Sequence, residues 1–202
     1  MPILNVWLRF VRRARRLYLD SYDKRLSLNC KRTADQGLPE TGFGAPLSTL
    51  NMTTVSYPGL VRSRFSNRMP QPHAYATYAP VLNYNSVQGD FFGGSFWDMH
   101  ATGIRLNNSV AQQAQAPPLN PVEVALSDSA CMVYRVSQRP YRSLAENIWG
   151  KHAFAIQWSK DIEHASSVPG PAPASDPVQL NAMDRGSSNR TFDQIAEAIA
   201  TF

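Results

Sequence analysis

The chain has 202 residues, 43% of them hydrophobic, 17% charged, with a formal net charge of +5. That length holds one ordinary domain with extensions, and the low share of charged residues suits a chain that covers part of its surface with partners. The charge is concentrated: residues 1–32 carry nine basic and two acidic side chains, so residues 33–202 sum to −2. A protein that coats nucleic acid spreads its cations along its length, because each neutralised phosphate needs one. Cys30 and Cys131 stand far apart, without the spacing of a zinc site or a disulfide framework. Two free thiols are the expectation, with a Cys30–Cys131 bridge as the alternative. No apolar run approaches the ~20 residues of a membrane-spanning helix.

From the N-terminus, residues 1–28 have the periodicity of an amphipathic helix. Trp7 and Phe10 lie on its apolar side with Ile3, Val6 and Val11, while Arg9, Arg12, Arg13, Arg15 and Arg16 gather on the other. Such a helix suits an anionic lipid surface, a partner protein or a mitochondrial targeting role. These seven residues are the candidate lipid, anion or partner contacts.

Residues 29–119 change character. Gly and Pro recur every few residues, acidic residues are missing between Glu40 and Asp90, and aromatic residues are frequent. Long helices are excluded there. The expected form is an extended tether whose rings enter pockets on neighbouring proteins, with a small β module as the alternative, including a strand over 79–84. The densest cluster, residues 89–97, lacks the features of a nucleotide-binding loop and reads as a tight turn. It presents Phe91, Phe92, Phe96 and Trp97 as docking residues.

Residues 120–165 predict a helical hairpin. Asn120-Pro121-Val122-Glu123 reads as a helix start, with Asn as cap and Pro at the first position, running to about Ser137. A second helix is expected over 141–162, with Gly150 as a weak point inside it. Residues 166–187 read as a Pro-rich linker. Residues 188–202 predict a docking helix opened by the capping box Thr191-Phe192-Asp193-Gln194, with Phe192, Ile195, Ile199 and Phe202 as an apolar stripe that needs a surface. The fold class expected is therefore mainly α, with an N-terminal amphipathic helix, a long coil, an αα-hairpin and a short C-terminal helix.

Chemistry is sparse. The four histidines complete no metal-ligand set; Asp98 and His100 read as ordinary loop residues, and His152 as a packed or rim side chain. Glu146, Asp161 and Glu163 read as a solvated set. No hydrolase, metalloprotease, P-loop or dinucleotide motif occurs. The sequence points to a chain that is not an enzyme, has no cofactor, metal or small-molecule substrate, and staples other protein subunits of a large complex. A mitochondrial membrane complex is the setting expected, respiratory chain or ATP synthase, with the chain peripheral to the inner membrane and anionic lipid at the N-terminal helix. A viral coat protein with a basic arm and a mitochondrial ribosomal protein are the alternatives, RNA being the lesser partner.

Overall fold

The computed structural model describes residues 61, 64, 76–167 and 178–201. The N-terminal amphipathic helix with its Arg, Trp7 and Phe10 contacts, most of the tether, most of the Pro-rich linker and Phe202 lie outside the described residues. The described part is about half helical, with a single short two-stranded sheet.

A 3-10 turn at Ala76–Tyr78 leads to strands β1 (Asn83–Asn85) and β2 (Asp90–Phe92). They pair antiparallel, Asn83 opposite Phe92 and Tyr84 opposite Phe91. The connection closes because the Asn85 side chain accepts from the Val87 and Gln88 backbone N–H groups, while Gly89, at φ +75°, returns its own N–H to the Asn85 carbonyl. Two short strands alone are marginal, so the hairpin is anchored from below. Gly94 donates to the Pro80 carbonyl and Leu82 to Thr102. At Gly93 a Cβ would sit 2.4 Å from the Pro80 oxygen, so only glycine permits this crossing.

Helix α1 (Ser109–Ala114) is capped by Asn108, whose side chain accepts from Val110 and Ala111. The short α2 (Ala116–Leu119) follows directly. Then come α3 (Ser129–Ser137), α4 (Arg142–Trp149), a 3-10 turn (Lys151–Phe154), α5 (Ile162–Ser167) and α6 (Ala182–Ala200). The core lies where α3 and α6 meet, around the fully buried Cys131 and Val133 and the buried Phe154, Phe192 and Ile195. Ala196, Ala198 and Ala200 are also buried, and their small side chains let α6 approach its neighbours closely.

Several expectations are corrected. No helix starts at Asn120: residues 121–124 form a turn, Ala125 is left-handed at φ +58°, and α3 begins at Ser129. The N–H groups of Val124 and Leu126 turn back to the Pro117 and Pro118 carbonyls of α2, and Asp128 supplies the cap by accepting from Ala130 at 2.8 Å. The expected 141–162 helix is broken at Gly150, whose φ of +87° ends α4. A Cβ there would lie 2.6 Å from the His152 ring. The C-terminal helix starts at Ala182 rather than near residue 188. Asn181 caps it by accepting from the Asp184 N–H at 2.8 Å and donating to its carboxylate at 2.6 Å. Its weak helix formers are absorbed by packing. Ser188 and Thr191 face the interior, and the Thr191 hydroxyl donates to the Ala153 carbonyl at 2.7 Å. The stripe at Phe192 and Ile195, expected to dock on a neighbour, is buried in this chain's own core; Ile199 packs beside it, half-buried. Cys131 is a free, buried thiol, so the bridge is excluded.

Candidate functional site

Polar side chains fasten the helices before they offer chemistry. Asp128, buried at the head of α3, accepts from the backbone N–H of Ala130 and Val178 and from the Arg185 guanidinium, each at 2.8 Å. Arg185 also donates to the Val178 carbonyl. Burial acts to raise the Asp128 pKa, but the Arg185 hydrogen bond and the two N–H donors outweigh it and hold the carboxyl below its ordinary value. Arg105 clamps Asp193 through two bonds of 2.9 Å, and Gln115 donates to the same carboxylate at 2.6 Å. These networks join segments far apart in sequence, and their groups are saturated.

Glu123 is different. It stands on the turn between α2 and α3, half-buried, two residues before the left-handed Ala125. Asn120 organises this turn. Its carbonyl accepts from Glu123 and Ala125, its side-chain oxygen from Val122, and its amide donates to Glu123 Oε1 at 2.8 Å. The Arg64 guanidinium donates to the Pro121 carbonyl at 3.2 Å. Burial pushes the Glu123 pKa up against the lowering effect of the Asn120 bond. Among the described carboxyl groups it is the one shifted upward. A partly desolvated carboxyl on a strained turn has the properties of a proton donor and acceptor. Sequence reading took Glu123 only as a helix-start residue; the crowding of Pro117, Pro118 and Pro121 was the available sign that the backbone there is a turn.

The expected docking residues divide in two. Phe91 (61% exposed), Phe92 and Trp97 (68%) remain open to solvent, together with Tyr84, Val87 and Ile104. Tyr84 and Phe91 touch with ring centroids 5.0 Å apart. Phe96 is half-buried and stacks on His100 instead. Asp98 and His100, read as ordinary loop residues, are paired at 2.5 Å. Among the described residues no group of three or more His, Cys, Asp or Glu side chains is placed to hold a metal ion, and no helix is long and apolar enough to cross a membrane. His152 is exposed beside Ala153, Ser187, Arg190, Thr191 and Gln194, around a depression too small for an organic ligand.

No family model matches the chain. A stretch of 78 residues, 38% of the chain, is 37% identical to the methylamine utilization protein MauG of Paracoccus denitrificans. The match spans 18% of that protein's length, so the chain corresponds to about a fifth of it. MauG is an enzyme. This corrects the expectation that the chain is not one: motif absence misled because acid–base groups such as Glu123 are assembled by the fold and carry no local signature.

Proposed function

We propose that the chain is part of an enzyme related to MauG and acting in methylamine utilization, with Glu123 as its proton-transferring group. The similarity to MauG carries the reading; the half-buried Glu123, set on a strained turn and held by Asn120, gives it a chemical centre. A carboxyl with a raised pKa keeps a larger protonated fraction near neutral pH, so it gives a proton in one step and takes it back in another. The α3–α6 core and the Asp128 clamp act as the frame, because a proton-transfer group must be held rigidly to work.

The test is a graft. The matching stretch of this chain, extended to include Glu123, replaces its counterpart in MauG, and growth of Paracoccus denitrificans on methylamine is followed. Growth is expected to persist with the native graft. The Glu123→Gln graft is expected to lower activity by about a hundredfold or more, the scale of a lost general acid–base group. Equal growth of the two grafts would remove Glu123 from the proposal, and failure of a folded native graft would remove the shared function.

A second reading is favoured by the aromatic face: the chain is also a subunit or region that binds other proteins of a larger assembly through Tyr84, Phe91, Phe92 and Trp97. The mitochondrial setting, the lipid contact and the lesser RNA alternative rest on residues 1–32, outside the described residues, and remain part of this second reading alone.

A further inference from the structure

The loop from Ser95 to Ala101 is closed at its base and restrained within. Ser95 and Ala101 form an isolated antiparallel bridge, with the Ser95 N–H on the Ala101 carbonyl at 3.0 Å. Ala101 is buried, and the Ser95 hydroxyl bonds to that of Ser109 at 3.2 Å. Two non-glycine residues of the loop are left-handed, Phe96 at φ +68° and Met99 at φ +59°. Such conformations persist only where surrounding contacts impose them. The result is an unusual restraint on an exposed imidazole. Its Nδ1 lies 2.5 Å from Asp98 Oδ1, and the Phe96 ring stacks on it at 4.3 Å and 10°.

A carboxylate on Nδ1 selects the tautomer with its proton there, leaving the Nε2 lone pair available and more basic. Among the described residues Nε2 has no hydrogen-bond partner, and the His100 side chain is 58% exposed. The hydrogen bond to His100 in turn holds the Asp98 carboxyl below its usual range. Trp97 and Met99, both exposed, are the apolar side chains next to it in the loop. An imidazole oriented from two sides, open at Nε2 and flanked by apolar side chains, is built to accept a proton from a flat, largely apolar molecule.

We propose that Asp98 and His100 form a second proton-transfer site, distinct from Glu123, for flat apolar substrates carrying one weakly acidic hydrogen. His100 Nε2 takes the proton, the bonding pair stays on the substrate, and the imidazolium is stabilised by Asp98 until it releases the proton to water. No oxidant or reductant enters the step.

The probe is 5-nitrobenzisoxazole, a flat aromatic carbon acid. Removal of its ring C–H proton sends the electron pair into the nitrile as the N–O bond breaks, giving a coloured phenolate. The full chain is compared with His100→Gln, Asp98→Asn and Glu123→Gln at pH 8, with thermal melts to check folding. Saturable turnover is expected, reduced at least tenfold in His100→Gln and partly in Asp98→Asn, and unchanged in Glu123→Gln. In the histidine NMR spectrum, His100 should be the Nδ1–H tautomer, with a pKa that falls in Asp98→Asn. Equal turnover in folded native protein and His100→Gln would overturn the proposal. So would tight zinc binding that depends on His100 without any probe turnover, since it would mark a metal ligand rather than a base. Because the Glu123 variant is read in the same assay, failure here and failure of the Glu123 proposal remain distinguishable.

Discussion

Asp128 holds its carboxylate among three donors at the junction of α3, the segment before α6, and α6 itself. In Asp128→Asn two backbone donors keep at most one good acceptor, and Arg185 loses its countercharge in a half-buried site. The expected cost is about 3 kcal/mol, the scale of breaking a buried ion pair from one side, measured by urea denaturation at pH 7. The pH dependence follows from the direction of the shift. A carboxyl whose folded pKa lies below the unfolded one stabilises the fold above the unfolded value of 3.8. That contribution fades as pH falls through the lower, folded pKa. Denaturation from pH 7 to pH 2 should therefore show a steeper acid loss for the native protein than for Asp128→Asn, the two converging at the acid end.

At the level of elements, α6 separates what was legible from what was not. Its apolar spacing at Phe192, Ile195 and Ile199 was visible, as was its need for a surface. Its first turns were hidden, because Gly186, Ser187, Ser188 and Asn189 are poor helix formers that packing against Ala153 overrides. The Asn120 start signal failed for a related reason. Its cap-and-proline pattern is real, but Asn120 caps a turn fastened to α2 while the stronger cap, Asp128, lies eight residues on. Gly150 was flagged as a weak point and is a helix end. Of the candidate sites, the exposed aromatic cluster could be read locally; Glu123 and the restrained His100 could not, since burial and left-handed backbone are tertiary outcomes. If α6 belongs to the core rather than to a partner, Phe192→Ala should cost about 3–5 kcal/mol as a cavity substitution. Thermal unfolding of the isolated chain measures it, and a negligible change would return that face to an external surface.

Across the molecule, eight of the nine large hydrophobic side chains named as exposed fall between Tyr78 and Ile104, the ninth being Met183. One segment thus carries the surface that water tolerates least, while the helical core lies on the other part of the chain. In the triple variant Tyr84→Ser, Phe91→Ser and Trp97→Ser the core contacts are untouched, so the melting temperature should move little. Self-association, followed by analytical ultracentrifugation as a function of concentration, should fall. Unchanged association would mean that this face is a solvated surface and not a binding one.

Cys131 lies at the centre of α3, fully enclosed, its thiol beside the Ser127 hydroxyl and its pKa raised by burial. Attack by an oxidant or an alkylating agent needs both thiolate and access, and the closed fold withholds both. Chemical damage at this sulfur therefore follows opening of the core and does not initiate it. Each modified molecule records that its helices had already parted, and the added bulk keeps them from closing again, so a reversible fluctuation becomes permanent ageing.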